Sequence, residues 1–123
     1  MLEKTVRMLT GMKLDFYPGT RYSYATINYD VLGLIIQNIS GISYEAFIQR
    51  NILKPLGLNH TYLSLGDAVE TGRVATGYKA SFFSTREYQA PVYRGNTPAG
   101  YLISSASDME RWILLKCRSF IGI

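Results

Sequence analysis

Between Asn28 and Gly41 lies the stretch that most restricts how this chain can fold. Tyr29, Val31, Leu32, Leu34, Ile35, Ile36 and Ile39 occur within eleven positions and, wound at 3.6 residues per turn, surround the axis instead of forming one stripe. A helix of that kind is stable only where neighbours cover most of its sides, so the chain must build its core around it. Asn28 has a side chain that can accept a bond from a free amide of the first turn. Asp30 adds a negative charge where the helix dipole favours one, and Gly41 can take the left-handed stop that a Cβ would resist. The pattern predicts a helix from Tyr29 to Ile39, capped by Asn28.

Other elements follow from the same rules. Leu2, Val6 and Leu9 recur at helical spacing with Gly11 near the stop, which predicts a short amphipathic helix over residues 1 to 13. Ser43 can cap a helix reaching Leu53, with Tyr44, Phe47, Ile48 and Ile52 inward and Pro55 ending it. Residues 56 to 104 mix Gly, Ser and Thr with short runs, Val74 to Tyr78 and Tyr88 to Tyr93, that read as strands or extended loops. Ser105 and Asp108 have the spacing of a capping box, and Met109, Trp112 and Ile113 follow at i, i+3 and i+4, which predicts a last helix from Ser105 to Lys116. Neither a repeat nor a linker divides the sequence, so residues 1–123 are expected to be one segment of a single domain.

Composition narrows the function. Thirteen Lys and Arg against nine Asp and Glu give a net charge of +4, but the basic residues are scattered. Nucleic-acid binding, which needs a concentrated basic stripe, is not expected despite the ten tyrosines. Cys117 is alone, so no intrachain disulfide can form, and one His with one Cys does not make a metal-ligand set. No apolar run approaches the length of a membrane span and no charged run followed by an apolar one opens the sequence, so a soluble chain is expected, with its compartment left open.

The segment from Pro18 to Ile27 is polar and aromatic, with no period, and places Tyr24 on a loop just ahead of the apolar helix. With its flanking Pro18-Gly19 and Asn28-Tyr29-Asp30-Val31-Leu32-Gly33, it resembles the tyrosine-bearing loop of the penicillin-recognising serine hydrolases: class C β-lactamases, D-alanyl-D-alanine carboxypeptidases and related esterases. Two further landmarks occur in family order. Gly41 to Phe47 followed by Ile52-Leu53-Lys54-Pro55-Leu56-Gly57-Leu58 is similar to the helix pair and its Pro-Leu-Gly corner. Pro98-Ala99-Gly100-Tyr101-Leu102-Ile103-Ser104-Ser105, with Asp108 and Trp112, is similar to the Pro-Ala-Gly-Gly stretch and the helix after it.

The resemblance implies a helix-rich α+β fold, containing much of the family's helical subdomain and little of its sheet. It implies that Tyr24 is catalytic, relaying protons between nucleophile, leaving group and water, with no cofactor. Thr26 falls at a substrate-binding position where the family has an asparagine, and a hydroxyl offers one donor where an amide offers two donors and an acceptor. Tyr101 replaces the second glycine of the family's pair. A free phenol titrates near ~10, so a basic role at neutral pH needs cations beside it. In the family these come from a Ser-x-x-Lys turn and a Lys-Thr-Gly or His-x-Gly strand, neither of which occurs in these 123 residues. Thr10-Gly11-Met12-Lys13 mimics the spacing, but it stands too close to the tyrosine loop, and Gly11 weakens a helix there.

Three readings therefore stand. The chain belongs to a hydrolase whose parent opens an ester, amide or β-lactam in a small molecule or peptide through an acyl-serine; it is a non-catalytic binding or interaction module of that fold; or it is an inert folding segment. An incomplete core would leave apolar surface exposed, and self-association is expected.

Overall fold

The computed structural model describes residues 2–89, 91 and 94–121. The fold is α+β and helix-rich, and its chain divides into two compact units, one formed by residues 1–56 with 94–100, the other by residues 57–93 with 101–123. Among the described residues, no single helix is long and apolar enough to cross a membrane.

The first unit opens with α1 (Leu2–Arg7), shorter than its spacing predicts. From Met8 the amides bond three residues back instead of four, and Gly11, at φ 83°, leaves the helical region altogether. Pro18 and Gly19 then reverse the chain as expected. Gly19 takes φ 83°, and both the amide and the hydroxyl of Thr20 donate to the Tyr17 carbonyl.

Helix α2 (Ile27–Ser40) starts before the predicted cap. Thr26 holds the cap position in helical conformation with no side-chain bond, and Asn28 is already inside the first turn. The amides of Asn28 and Tyr29 bond the carbonyls of Ala25 and Thr26, so an entering turn replaces the side-chain cap. Gly41 supplies the stop at φ 71°, its amide bonding the Gln37 carbonyl. Expected burial on most sides is not found: Leu32, Ile35 and Ile39 are exposed, Ile39 to 83%, and the buried residues of the helix are Asp30 and Gly33.

Gly33 shows why that face is closed. A Cβ there would stand 2.3 Å from Pro98 Cγ, because a 3-10 segment, Arg94–Ala99, lies directly on α2. Ser43 caps α3 (Tyr44–Ile48), accepting from the Ala46 amide at 3.2 Å. A π-helical turn, Gln49–Leu53, continues α3 until Pro55 offers no amide. Ile48 and Leu53 are the buried apolar side chains here.

In the second unit, β1 (Thr61–Tyr62) leads to α4 (Leu65–Val69), which is capped by Ser64 accepting from Asp67. The hairpin β2 (Tyr78–Ser81) and β3 (Ser84–Glu87) follows. Of the two runs read as strands or extended loops, Tyr78 alone among the described residues lies in a strand. Residues 74–77 are irregular, Tyr88 and Gln89 lie beyond β3, and Ala90, Val92 and Tyr93 fall outside the described residues. Alternation was too weak there to set strand ends.

Strand β4 (Ile103–Ser104) pairs antiparallel with β1, Thr61 opposite Ser104 and Tyr62 opposite Ile103. Helix α5 (Ala106–Ile121) is five residues longer than its predicted Lys116 end. Leu58, Leu63 and Ala68 form the small apolar core of this unit.

Candidate functional site

Tyr24 and Thr26 stand together at the mouth of α2. The turn at Pro18-Gly19 sends an extended segment toward the helix, and Tyr24 arrives two residues before the cap with its ring 63% exposed. Among the described residues its ring neighbour is Tyr29, with centroids 6.3 Å apart and planes tilted by 47°. Thr26 is exposed as well, its carbonyl taken by the Tyr29 amide. The phenol and the hydroxyl are therefore both open to a partner from outside the unit.

One turn into the helix, the structure reveals a group that the sequence could not single out. Asp30 is 0% exposed, and among the described residues neither carboxylate oxygen has a hydrogen-bond partner. Burial pushes its pKa above the ordinary 3.8, while the nearby Ala99 amide pulls it back by less without closing a bond. In the sequence Asp30 reads as an ordinary first-turn acid. Its burial comes from residues 94–99 folding back over α2, a contact spanning more than sixty positions that no local pattern announces.

The sign of the consequence is fixed. Well below pH 3.8 Asp30 is protonated whether folded or unfolded and costs nothing. As pH rises from that value toward the raised folded one, the unfolded state ionises first, so a penalty develops, and above the folded value it stays constant. The Asp30→Asn variant is expected to remove this loss of stability between acid and neutral pH. Urea melts of both proteins at several pH values would show it as a narrowing gap on acidification; a gap independent of pH would refute it.

Tyr101, the bulky residue of the Pro98–Ser105 stretch, holds φ at 68°, in the left-handed region that favours glycine. A side chain in that region costs roughly 1–2 kcal/mol, which the surrounding structure must offset.

A cleft of about 560 Å³ lies in the second unit, lined by His60, Thr71, Arg73, Ser104, Ser105 and Ser107 among others. Tyr24 and Thr26 are not among its lining residues. Three of its lining residues, His60, Ser104 and Ser105, belong to a polar lock built on Asp108, which is 4% exposed. The Asp108 Oδ2 accepts from the His60 amide at 2.8 Å and from the Thr61 hydroxyl at 2.7 Å.

Since the Thr61 proton goes to the carboxylate, the Ser104 hydroxyl at 2.8 Å is the donor to Thr61 Oγ1. Ser105 completes the lock, taking the Asp108 amide on its hydroxyl and giving its own amide to the His60 carbonyl. The predicted capping box is thus half formed: the serine caps, while the aspartate turns away to hold the strand β1. His60 takes part through its backbone, with its ring half exposed and 3.9 Å from Asp108. Among the described residues no three potential metal ligands are gathered.

Comparisons with known proteins match most of the chain. A family model described as Beta-lactamase matches residues 2–120. Protein flp of Staphylococcus aureus (strain COL) is 36% identical over 119 residues, covering 91% of this chain and 22% of its own length. The unguisins hydrolase ungD of Aspergillus violaceofuscus is 31% identical over 118 residues, covering 91% of this chain and 21% of that protein. Among solved structures, the octameric penicillin-binding protein homologue from Pyrococcus abyssi superposes with a TM-score of 0.79 at 33% identity, over 92% of this chain and 26% of that one. A class C beta lactamase does so with a TM-score of 0.73 at 26% identity, over 90% of this chain and 30% of the other. The chain spans about a fifth of the length of the curated relatives that it matches.

Proposed function

The chain belongs to the beta-lactamase family, and from that premise we propose that it supplies the tyrosine wall of an acyl-transfer site in a longer serine hydrolase. The parent opens an ester, amide or β-lactam by forming an acyl-serine. In this reading Tyr24 passes the proton from the attacking serine to the leaving group and takes one from water in deacylation, while Thr26 contacts the substrate. The observation that carries the proposal is the 63% exposed phenol held at the mouth of α2 within a segment similar throughout to the family. Residues 1–123 then form one segment of a single catalytic domain.

Taken alone, the 123 residues are expected to be inactive, because a phenol has no acyl group to relay protons for when no activated serine stands beside it. Incubation with a fluorescent penicillin, read by intact mass, should give no adduct. A chain extended to include a Ser-x-x-Lys turn should give one adduct on serine. A serine adduct on the 123 residues themselves would overturn the assignment. Saturable binding without an adduct, even in the extended chain, would favour a non-catalytic binding module, the reading supported by Thr26 in place of the amide. The exposed apolar residues of α2 favour self-association, a property stated of the octameric homologue. Light scattering on the same samples tests it, and a monomeric mass at every concentration would refute it.

A further inference from the structure

The β2–β3 hairpin ends in an apolar tip that the acyl-transfer reading does not use. Phe82 and Phe83 are the two turn residues, 90% and 98% exposed, with their rings in edge-to-face contact at 4.9 Å. Phe83 has φ 60°, a conformation that glycine adopts freely and a phenylalanine does not. A phenylalanine held at positive φ beside a second exposed ring is the kind of outlier from which a use for the display can be inferred.

What the tip would meet is indicated by the charges behind it. The first two cross-strand pairs, Ser81 with Ser84 and Ala80 with Thr85, carry no charge. Next comes Lys79 directly opposite Arg86, two cations side by side on one face of the ribbon. Like charges so placed repel, and Lys79 lies instead over the Tyr88 ring at 4.8 Å. Both faces of the hairpin are exposed throughout.

From the rings to the cation pair is three residues, about 10 Å at the rise of an extended strand. That is the depth over which an interfacial segment passes from the acyl boundary to the headgroups. Tyr78 and Tyr88, at the base of the ribbon, have the apolar ring and polar tip suited to the headgroup level, and Glu87, opposite Tyr78, stands one pair further from the tip than the cations.

We propose that this hairpin is a membrane-surface anchor: Phe82 and Phe83 enter the acyl boundary of an anionic bilayer, and Lys79 and Arg86 pair with its headgroup phosphates. A protein groove could hold two rings, but it would not require two opposed cations at that distance behind them. The contact is peripheral, needs no spanning segment, and does not depend on the acyl-transfer reading.

Sedimentation of the chain with phosphatidylcholine vesicles, with and without phosphatidylglycerol, tests the proposal. The native chain should bind the anionic vesicles. The double variant Phe82→Ser with Phe83→Ser should bind them at least about tenfold more weakly. Lys79→Gln with Arg86→Gln should lose about tenfold on anionic vesicles and nothing on neutral ones. All four side chains are exposed, so circular dichroism should be unchanged and binding can be compared directly. Failure of the native chain to bind anionic vesicles, or equal binding by the double phenylalanine variant, would overturn the proposal.

Discussion

The Asp108→Ala variant is expected to lose about 3–5 kcal/mol of stability, enough to leave the second unit largely unfolded at room temperature. Asp108 is 4% exposed and accepts two bonds from another part of the unit, from the His60 amide at 2.8 Å and the Thr61 hydroxyl at 2.7 Å. Hydrogen bonds to a charged group contribute about 1.5–3 kcal/mol each, and removing the acceptor also leaves buried donors without partners. The apolar core cannot compensate, since Leu58, Leu63 and Ala68 are its buried members. A melting temperature lowered by more than about 10 °C is expected in a thermal melt followed by circular dichroism. Asp108→Asn should fall between, because one carbonyl oxygen can still accept while the amide nitrogen cannot. Melting of Asp108→Ala within a few degrees of the native chain would show that strand β1 is held by something else.

In a chain extended to carry the nucleophile, Tyr24→Phe is expected to slow acylation by about 10²–10⁴-fold, the range for removing a positioned proton-transfer group. The ring stays and only the oxygen goes, so substrate binding should change far less than the rate. Tyr24 is 63% exposed, with Tyr29 as its aromatic neighbour among the described residues, so loss of the hydroxyl leaves no buried group unpaired. An unchanged melting temperature with a collapsed single-turnover rate would separate chemistry from folding. A rate within a few-fold of the parent would remove Tyr24 from the mechanism and return it to surface packing.

Several features were legible from local chemistry. Turn and cap residues announced themselves: Pro18-Gly19, Gly41, Ser43 and Ser105 each do in the structure what their side chains or backbones favour. Helices α2 and α5 were readable from apolar spacing, and the order of the three family landmarks was enough to name the fold. Ends were less legible. Helix α1 stopped early and α5 ran on because neither has a side-chain signal strong enough to set its limit. Asn28 looked like a cap because its type suits one, yet an entering turn from Ala25 starts the helix before it and takes the amides of Asn28 and Tyr29.

By itself, then, the amino-acid order determined which segments are helical, where the chain turns, and that a phenol at position 24 stands on a loop just ahead of α2. Those properties depend on neighbours within a turn or two, where spacing and side-chain type act directly. Tertiary structure alone decided that Asp30 is sealed beneath residues 94–99, that Asp108 joins α5 to β1, and that two phenylalanines are thrust into solvent. Each of these depends on which distant segment covers a side chain or leaves it bare. Burial and desolvation are set by that covering, and no local pattern encodes it.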